Sequence, residues 1–139
     1  MSLNPYLYFS GNCEAALRFY SDVLGGKVLA MIRHSETPAA AQTPPDWQDK
    51  IIHARIDVGG TVLMASDAPS GRQAAMSGFS ITFNTPDPTE ADRVFQALSE
   101  GAAITMPIQE TFWAKRFGML TDRFGTPWMI NCEKLPVGA

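Results

Sequence analysis

Cysteine and positive charge are both scarce in this chain of 139 residues. Cys13 and Cys132 are the two cysteines, too few for a disulfide framework or for a structural zinc site. Eleven Lys and Arg residues against 14 Asp and Glu residues give a net charge of −3, and no block of like charge occurs. Because nucleic acids and anionic membranes are bound through basic patches, we expect neither as a partner. Reduced thiols favour a cytoplasmic location.

Long apolar stretches are also absent from the sequence. None approaches the ~18 residues that a membrane-spanning helix requires. Residues 1–5 lack the basic and apolar regions of a signal peptide. We therefore expect a chain that is not embedded in a membrane, and its length fits a single domain covering residues 1–139.

Hydrophobic periodicity and turn residues predict the element order β-α-β-β-β, repeated once. Asn12 and Asp87 precede the two helical patterns as candidate capping residues, and glycines at 25 and 101 end them. Residues 35–49, rich in proline and alanine, form one long irregular loop. The predicted strands cover residues 5–9, 28–33, 51–58, 61–66, 79–83, 103–108, 117–121 and 127–132.

The two halves also match in residue types, as expected for an internal duplication. Residues 7–10 overlay residues 81–84, and residues 56–64 overlay residues 121–129 with Asp, Gly, Thr and Met in common. The offset between the halves shrinks along the chain, because the loop at 35–49 gives the first half extra residues. We expect module 1 at about residues 3–68 and module 2 at about residues 77–133.

Several motifs carry a family resemblance along nearly the whole chain. They are residues 4–9, 11–16, 19–20, 24–26, 53–54, 63–67, 112–113 and 116–119, with Asp122, Gly125 and Trp128. Together they resemble the vicinal oxygen chelate superfamily, which groups glyoxalases, bleomycin-resistance proteins and extradiol dioxygenases. Within it they resemble the PhnB-like branch, often labelled 3-demethylubiquinone-9 3-methyltransferase.

The resemblance implies an α+β fold in which two βαβββ modules form a partial barrel with the helices outside. The apolar faces Phe79/Ile81/Phe83 and Ile52/Ala54/Ile56 would then pack on the helices. The opposite faces would line a cavity, and they include Tyr6, Tyr8, His53, Arg55, Ser80 and Thr82. The resemblance also implies a homodimer, with modules that pair within one chain or between chains.

Metal chemistry in this superfamily requires His or Glu ligands on the first and last strands of each module. Here the last-strand positions are Met64 and Met129, and the first-strand positions fall on Asn4 or Tyr6 and on Gly78 or Ser80. None is a strong ligand for a hard divalent cation, since thioethers prefer soft ions. We therefore expect no metal ion and no other cofactor.

The methyltransferase label has no local support in the sequence. A methyl donor such as S-adenosylmethionine usually lies on a glycine-rich turn between a strand and a helix. The pair at 25–26 follows a helix, and the pair at 59–60 joins two strands. Methyltransferase activity is therefore not expected.

His53 is the main candidate for chemistry, with a structural alternative beside it. It can act as an acid or base, or donate a hydrogen bond to a ligand. Alternatively it makes a structural hydrogen bond across the strand, for example to Asp57 or Asp67. Asp67 itself is expected to cap the turn that follows it.

Aromatic and sulfur-containing residues supply the other candidates. Trp113 and Phe112 next to Arg116 suit a planar or anionic ligand, but Trp113 could equally plug the barrel or lie at a dimer interface. Tyr6 and Tyr8 could bind a ligand or pair within the core, and Met64 and Met129 would give an adaptable lining.

Cys13, at a helix start, could have a lowered thiol pKa, yet no neighbouring base accompanies it, so an idle cysteine is favoured.

Three functions remain open at this point. The first is metal-independent binding of a small molecule in the cavity by Tyr6, Tyr8, His53, Arg55, Met64, Ser80, Trp113, Arg116 and Met129. The second is an enzyme of lyase, isomerase or dioxygenase type, using a metal or His53. The third is a structural or regulatory dimer with a vestigial cavity. Missing metal ligands favour the first.

Overall fold

A computed structural model describes residues 1–69 and 72–134 of the chain. Its helices and strands follow the predicted order in each half. The first half contains β1 (Tyr6–Phe9), α1 (Cys13–Leu24), β2 (Lys27–Arg33), β3 (Ile51–Val58) and β4 (Thr61–Asp67). The second contains β5 (Ile81–Asn84), α2 (Pro88–Leu98), β6 (Ala103–Gln109), β7 (Ala114–Thr121) and β8 (Pro127–Glu133). The chain divides into two compact units, residues 1–74 and 75–139.

Each unit contains one four-stranded mixed sheet, and the two sheets share one topology. The strand orders are β1-β4-β3-β2 and β5-β8-β7-β6. The first strand of each unit runs parallel to the last, and the other neighbours are antiparallel. The predicted pair of βαβββ modules is therefore confirmed.

One helix covers one face of each sheet. The buried residues of α1 include Ala16, Leu17, Tyr20 and Val23, and they recur at the spacing of a helix facing a sheet. Ala54 and Ile56 on β3 are fully buried, as predicted for the helix-facing side. Leu17 is fully buried against the sheet, whereas Phe19 is only partly buried.

Module 2 shows why its helix can approach the sheet closely. A Cβ atom on Gly118 of β7 would lie 2.6 Å from the Phe95 ring of α2. Gly118 pairs with Ile130, so both lie on the helix side of the sheet. The helix also begins as predicted, since the Asp87 carboxylate accepts a hydrogen bond from the Thr89 amide at 2.9 Å.

The carboxylate of Asp67 joins three segments of module 1. One oxygen, Oδ1, accepts hydrogen bonds from the Gly11 and Cys13 amides, each at 2.9 Å. The other, Oδ2, accepts one from the Ile51 amide at 2.9 Å. Asp67 is 3% exposed, so these three bonds form away from water.

One prediction for this region was wrong, and Asp67 has a role that was not predicted. Its carboxylate caps the earlier turn between β1 and α1. Asn12 precedes the helix, but its side chain makes no capping hydrogen bond. The buried Asp67 carboxylate takes that role, because an ionised acceptor binds backbone N–H groups more strongly than an amide oxygen.

Asp122 plays a comparable local role in module 2. Its Oδ1 accepts hydrogen bonds from the Phe124 and Thr126 amides, and its Oδ2 accepts one from the Trp128 indole at 2.8 Å. Asp57, which the sequence overlay aligns with Asp122, accepts a single bond from the Gly60 amide. Both carboxylates order the turn before the last strand of their module.

The modules differ mainly in the segment that joins their second and third strands, and at the start of β5. Three short 3₁₀ turns occupy residues 34–50, whereas residues 110–113 suffice between β6 and β7. The extra residues of module 1 therefore lie in the loop where the changing offset between the two halves of the sequence predicted them. Strand β5 begins at Ile81, so the prediction that Phe79 packs on a helix was wrong: Phe79 precedes the strand and is 45% exposed.

The surroundings of Cys13 disfavour its thiolate form. It is fully buried at the start of α1. Burial raises the pKa of the Cys13 thiol far above its ordinary value, and the negative charges of Asp67 and Glu14 raise it further. These effects outweigh the helix dipole, so the interpretation of Cys13 as an idle cysteine agrees with its surroundings.

The three bonds of Asp67 predict a large effect of a small change. In Asp67→Asn, one acceptor oxygen becomes an NH₂ group that faces a buried backbone donor. We expect the free energy of unfolding to fall by about 2–4 kcal/mol, because buried donors lose a charged acceptor. Urea unfolding of the full chain measures this.

Asp57→Asn is the matched control, since its exposed carboxylate holds one backbone amide that an asparagine oxygen can also accept. We expect it to cost less than about 1 kcal/mol. Equal losses in the two variants would contradict the role assigned to Asp67.

Candidate functional site

The face of the first sheet opposite α1 brings five of the predicted site residues together. Met64 lies on β4 and pairs with Tyr6 of β1 on one side and with Arg55 of β3 on the other. Side chains two residues apart on a strand share a face. Tyr8 and His53 therefore join this row, which we call the tyrosine face: Tyr6, Tyr8, His53, Arg55 and Met64.

The centre of the tyrosine face is a contact between Tyr6 and His53. The Tyr6 hydroxyl lies 3.2 Å from His53 Nδ1, and the two rings stack with centroids 5.8 Å apart. The Tyr8 ring lies 5.1 Å from the Tyr6 ring and is 60% exposed. His53 thus makes a hydrogen bond across the sheet, with Tyr6 as its partner and not Asp57 or Asp67, the examples considered above.

The tautomer of His53 determines which atom donates in its contact with Tyr6. When the Tyr6 hydroxyl donates to Nδ1, the second ring nitrogen, Nε2, carries the hydrogen and is a donor. The tyrosine face then presents a donor on the same side of the sheet as Arg55. Such a set stabilises a negatively charged or carbonyl oxygen of a ligand.

Arg55 is exposed and has no carboxylate within ion-pair distance among residues 1–69 and 72–134. Two other arginines of module 1, Arg18 and Arg33, share Glu14, at 2.9 and 2.7 Å. Partial burial would raise the pKa of Glu14, but the hydrogen bonds and charges of these arginines lower it below its ordinary value. Arg55 lies on the same face as Tyr6 and His53, and no carboxylate among the described residues competes with a ligand for its charge.

The donor set of these faces does not fit a hard divalent cation. Met64 and Met129 lie on the sheet faces away from the helices, paired with Tyr6 and Thr82. Within the described part of the chain, no three His, Cys, Asp or Glu residues lie close enough to hold a metal ion. Thioether and phenol groups are weak partners for hard ions.

The second sheet has its own aromatic cluster on the face away from α2. The Trp113 ring contacts Phe117 and Phe112 edge-on, with centroids 5.3 and 4.8 Å apart. Phe112 is 90% exposed and Trp113 is 43% exposed. Met129 lies on this face through its pairing with Met119, and Ser80 is half-buried just before β5.

Arg116 is separated from the aromatic cluster. Its guanidinium bonds Asp92 of α2 at 2.7 Å, on the helix side of the sheet. The expected combination of aromatic rings with a free guanidinium is thus absent around Trp113 in the described residues. It occurs around Tyr6 and Tyr8, where Arg55 supplies the charge.

A buried amide on the same face as Trp113 was not among the residues predicted from the sequence. Asn131 is 8% exposed, and its Nδ2 donates to Asn84 Oδ1 at 3.0 Å and to Glu133 Oε1 at 3.4 Å. An asparagine between Ile130 and Cys132 in an apolar strand is the signal that could have revealed it, because buried polar side chains need partners.

The segment 34–50 is tied to the turn before α1. Lys50 Nζ donates to the Gly11 carbonyl at 2.9 Å, and the Trp47 ring lies next to Gly11. Within the segment, the Gln48 side-chain amide donates to the carbonyls of Ala40 and Thr43. These bonds make residues 34–50 an ordered part of module 1.

Comparisons with known proteins agree with this geometry. A family model for the glyoxalase/bleomycin resistance protein/dioxygenase superfamily matches residues 2–130. Protein YjdN from Escherichia coli K12 is 40% identical over 142 residues, covering 96% of this chain and 97% of YjdN. No helix among the described residues is long and apolar enough to cross a membrane.

Two solved structures share the fold. The crystal structure of protein PA1353 from Pseudomonas aeruginosa has a TM-score of 0.88 and 46% identity, covering 96% of this chain and 98% of PA1353. The PhnB protein from Bacillus cereus, whose name carries the 3-demethylubiquinone-9 3-methyltransferase label, has a TM-score of 0.82 and 25% identity. That alignment covers 95% of this chain and 99% of the other. The chain belongs to the glyoxalase/bleomycin resistance protein/dioxygenase superfamily and is related to PhnB and YjdN.

Proposed function

We propose that this protein binds a small anionic molecule with a planar group on the tyrosine face, without a metal ion. The observation that carries the proposal is the Tyr6–His53 contact at 3.2 Å on the same face as Arg55, which forms no ion pair among the described residues. Aromatic walls with a few converging polar groups are typical of small-molecule sites.

Each residue has a distinct part in this proposal. Arg55 binds the negative charge, and His53, held by Tyr6, donates a hydrogen bond to a ligand oxygen. Tyr8 and Tyr6 offer their rings to the planar part of the ligand. Met64, between Tyr6 and Arg55, gives an adaptable floor because its thioether chain is flexible.

Benzoate is a suitable probe, because it combines one carboxylate with one ring. We expect Arg55→Gln to weaken benzoate binding about tenfold, since a charge-assisted hydrogen bond is lost. Calorimetric titration of the full chain measures the affinity. Neutral benzamide should bind the wild type more weakly than benzoate and should not respond to the substitution.

Arg18→Gln is the matched control, because it removes the same charge from the exposed side of α1. It should leave benzoate affinity unchanged. Equal affinity for benzoate and benzamide, or a loss in Arg18→Gln as large as in Arg55→Gln, would contradict the proposal, as would a wild type that binds no benzoate.

An acid–base enzyme is the second candidate, and one observation favours it. The Tyr6 hydroxyl is the second polar group that a His53-centred proton transfer would need. In that role the pair would move a proton at a carbon next to a ligand carbonyl.

Deuterium exchange tests the enzyme directly. If the pair moves protons, the wild type exchanges the methyl hydrogens of pyruvate with D₂O faster than buffer, and His53→Gln abolishes the acceleration. Proton NMR follows the exchange. Identical rates for wild type, variant and buffer would rule out this chemistry on pyruvate and leave the binder.

A homodimer and a cytoplasmic location remain predictions. Leu29 on β2 and Ile104 on β6 are exposed apolar residues on strands at the edge of a sheet. Such edges favour association with a second copy. Sedimentation of the full chain would show a monomer if the prediction is wrong.

A further inference from the structure

Module 2 carries a group of residues with the opposite electrostatic character to the tyrosine face. Asn84, Asn131 and Glu133 lie on the face away from α2, beside the rings of Phe117 and Trp113. We call these five residues the asparagine–glutamate cluster. None of them belongs to the binding site proposed above.

The orientation of the Asn131 amide is fixed by its neighbours. Glu133 Oε1 can only accept a hydrogen bond when it is ionised, so the NH₂ group of Asn131 must face it. The same NH₂ group donates to Asn84 Oδ1. With Nδ2 assigned in this way, the carbonyl oxygen Oδ1 points elsewhere.

That carbonyl oxygen is buried without a hydrogen-bond partner in the described structure. Asn131 as a whole is 8% exposed, so water does not readily satisfy it. An unpaired buried acceptor is unfavourable, and native proteins usually provide it with a donor from protein, water or ligand. Among the described residues no donor reaches this oxygen, so it can accept an N–H or O–H group of a ligand or of an ordered water.

The unpaired carboxylate of the cluster favours a positively charged ligand. Glu133 is exposed, and among residues 1–69 and 72–134 no Lys or Arg lies within ion-pair distance of it. Its neighbour Lys134 pairs with Glu110 instead, at 3.0 Å. Lys115 on the adjacent strand is exposed and forms no ion pair with Glu133.

The aromatic rings add a second preference for positive charge. Phe117 pairs with Asn131 across the strands, and the Trp113 ring packs against Phe117. An indole face attracts an ammonium group, more strongly than a phenyl ring does. Trp113 keeps 43% of its surface exposed, so it offers a ring to a ligand.

We propose that the asparagine–glutamate cluster binds the ammonium group of an amine, with Glu133 as the counter-charge and Trp113 as the aromatic wall. One N–H of the amine donates to Asn131 Oδ1. Because this oxygen has no accessible surface, the contact requires a shift of neighbouring side chains.

Phenethylamine is the probe, since it carries one ammonium and one ring at neutral pH. Amide and indole proton–nitrogen NMR spectra of the full chain report binding at Asn131 and Trp113 separately. We expect saturable shifts of the Asn131 side-chain amide and the Trp113 indole signals in the wild type. The neutral analogue 2-phenylethanol should bind at least several-fold more weakly.

Glu133→Gln tests the counter-charge while keeping the shape of the side chain. We expect it to weaken phenethylamine binding about tenfold, because a charged hydrogen bond becomes a neutral one. Glu110→Gln is the matched control: it removes an exposed carboxylate that is bound to Lys134 and does not contact the cluster. It should leave the affinity unchanged, and Lys115→Gln should not lower it.

Three results would overturn the proposal. They are no saturable shift at Asn131 and Trp113, equal binding of phenethylamine and 2-phenylethanol, and equal losses in Glu133→Gln and Glu110→Gln. Benzoate binding by the tyrosine face is measured on other residues with another probe. Failure of one proposal is therefore distinguishable from failure of the other.

Discussion

The buried carboxylate of Asp67 is the interaction on which the first module depends. It ends β4 and binds the backbone on both sides of that strand: the turn after β1 and the first residue of β3. Strands β1 and β3 flank β4 in the sheet. By fixing both neighbours, one side chain sets the positions from which Tyr6 and His53 meet. The Tyr6–His53 contact on the tyrosine face thus depends on the buried carboxylate of Asp67.

Duplication gave the two modules one architecture and left their open faces to diverge. Both sheets pair a first and last strand in parallel, and both place a methionine, Met64 or Met129, on the face away from the helix. In the first module the aromatic rings share a face with an arginine, Arg55. In the second, Arg116 is held by Asp92 on the helix side, and a carboxylate lies beside the rings. The same scaffold therefore offers two aromatic faces of opposite charge.

Much of the fold could be predicted from the sequence because its determinants are local. Apolar spacing gave the helices, and the alternation on β3 separated Ala54 and Ile56 from His53 and Arg55. The Tyr6–His53 contact could not be predicted, since it needs the strand order that places β4 between β1 and β3. The role of Asp67 was missed for the same reason: its partners lie 54, 56 and 16 residues away.

The side of the sheet on which Arg116 lies was also not predicted correctly from the sequence. Arg116 follows Trp113 by three residues, and Lys115 lies at an irregularity in the pairing between Ala114 and Arg116. Side chains an odd number of positions apart along a strand point to opposite faces, as Arg116 and Trp113 do. Sequence proximity therefore suggested a shared site, whereas the backbone directs Arg116 to α2 and Trp113 to the opposite face.

Metal independence is the central claim about the tyrosine face, and one titration tests it most directly. Benzoate affinity would be measured by calorimetry for protein dialysed against a strong chelator, and again after reloading with Zn²⁺ or Mn²⁺. The account predicts the same affinity in both states, because Arg55 and the Tyr6–His53 pair make the contacts. Binding that disappears on chelation and returns with the metal would contradict it.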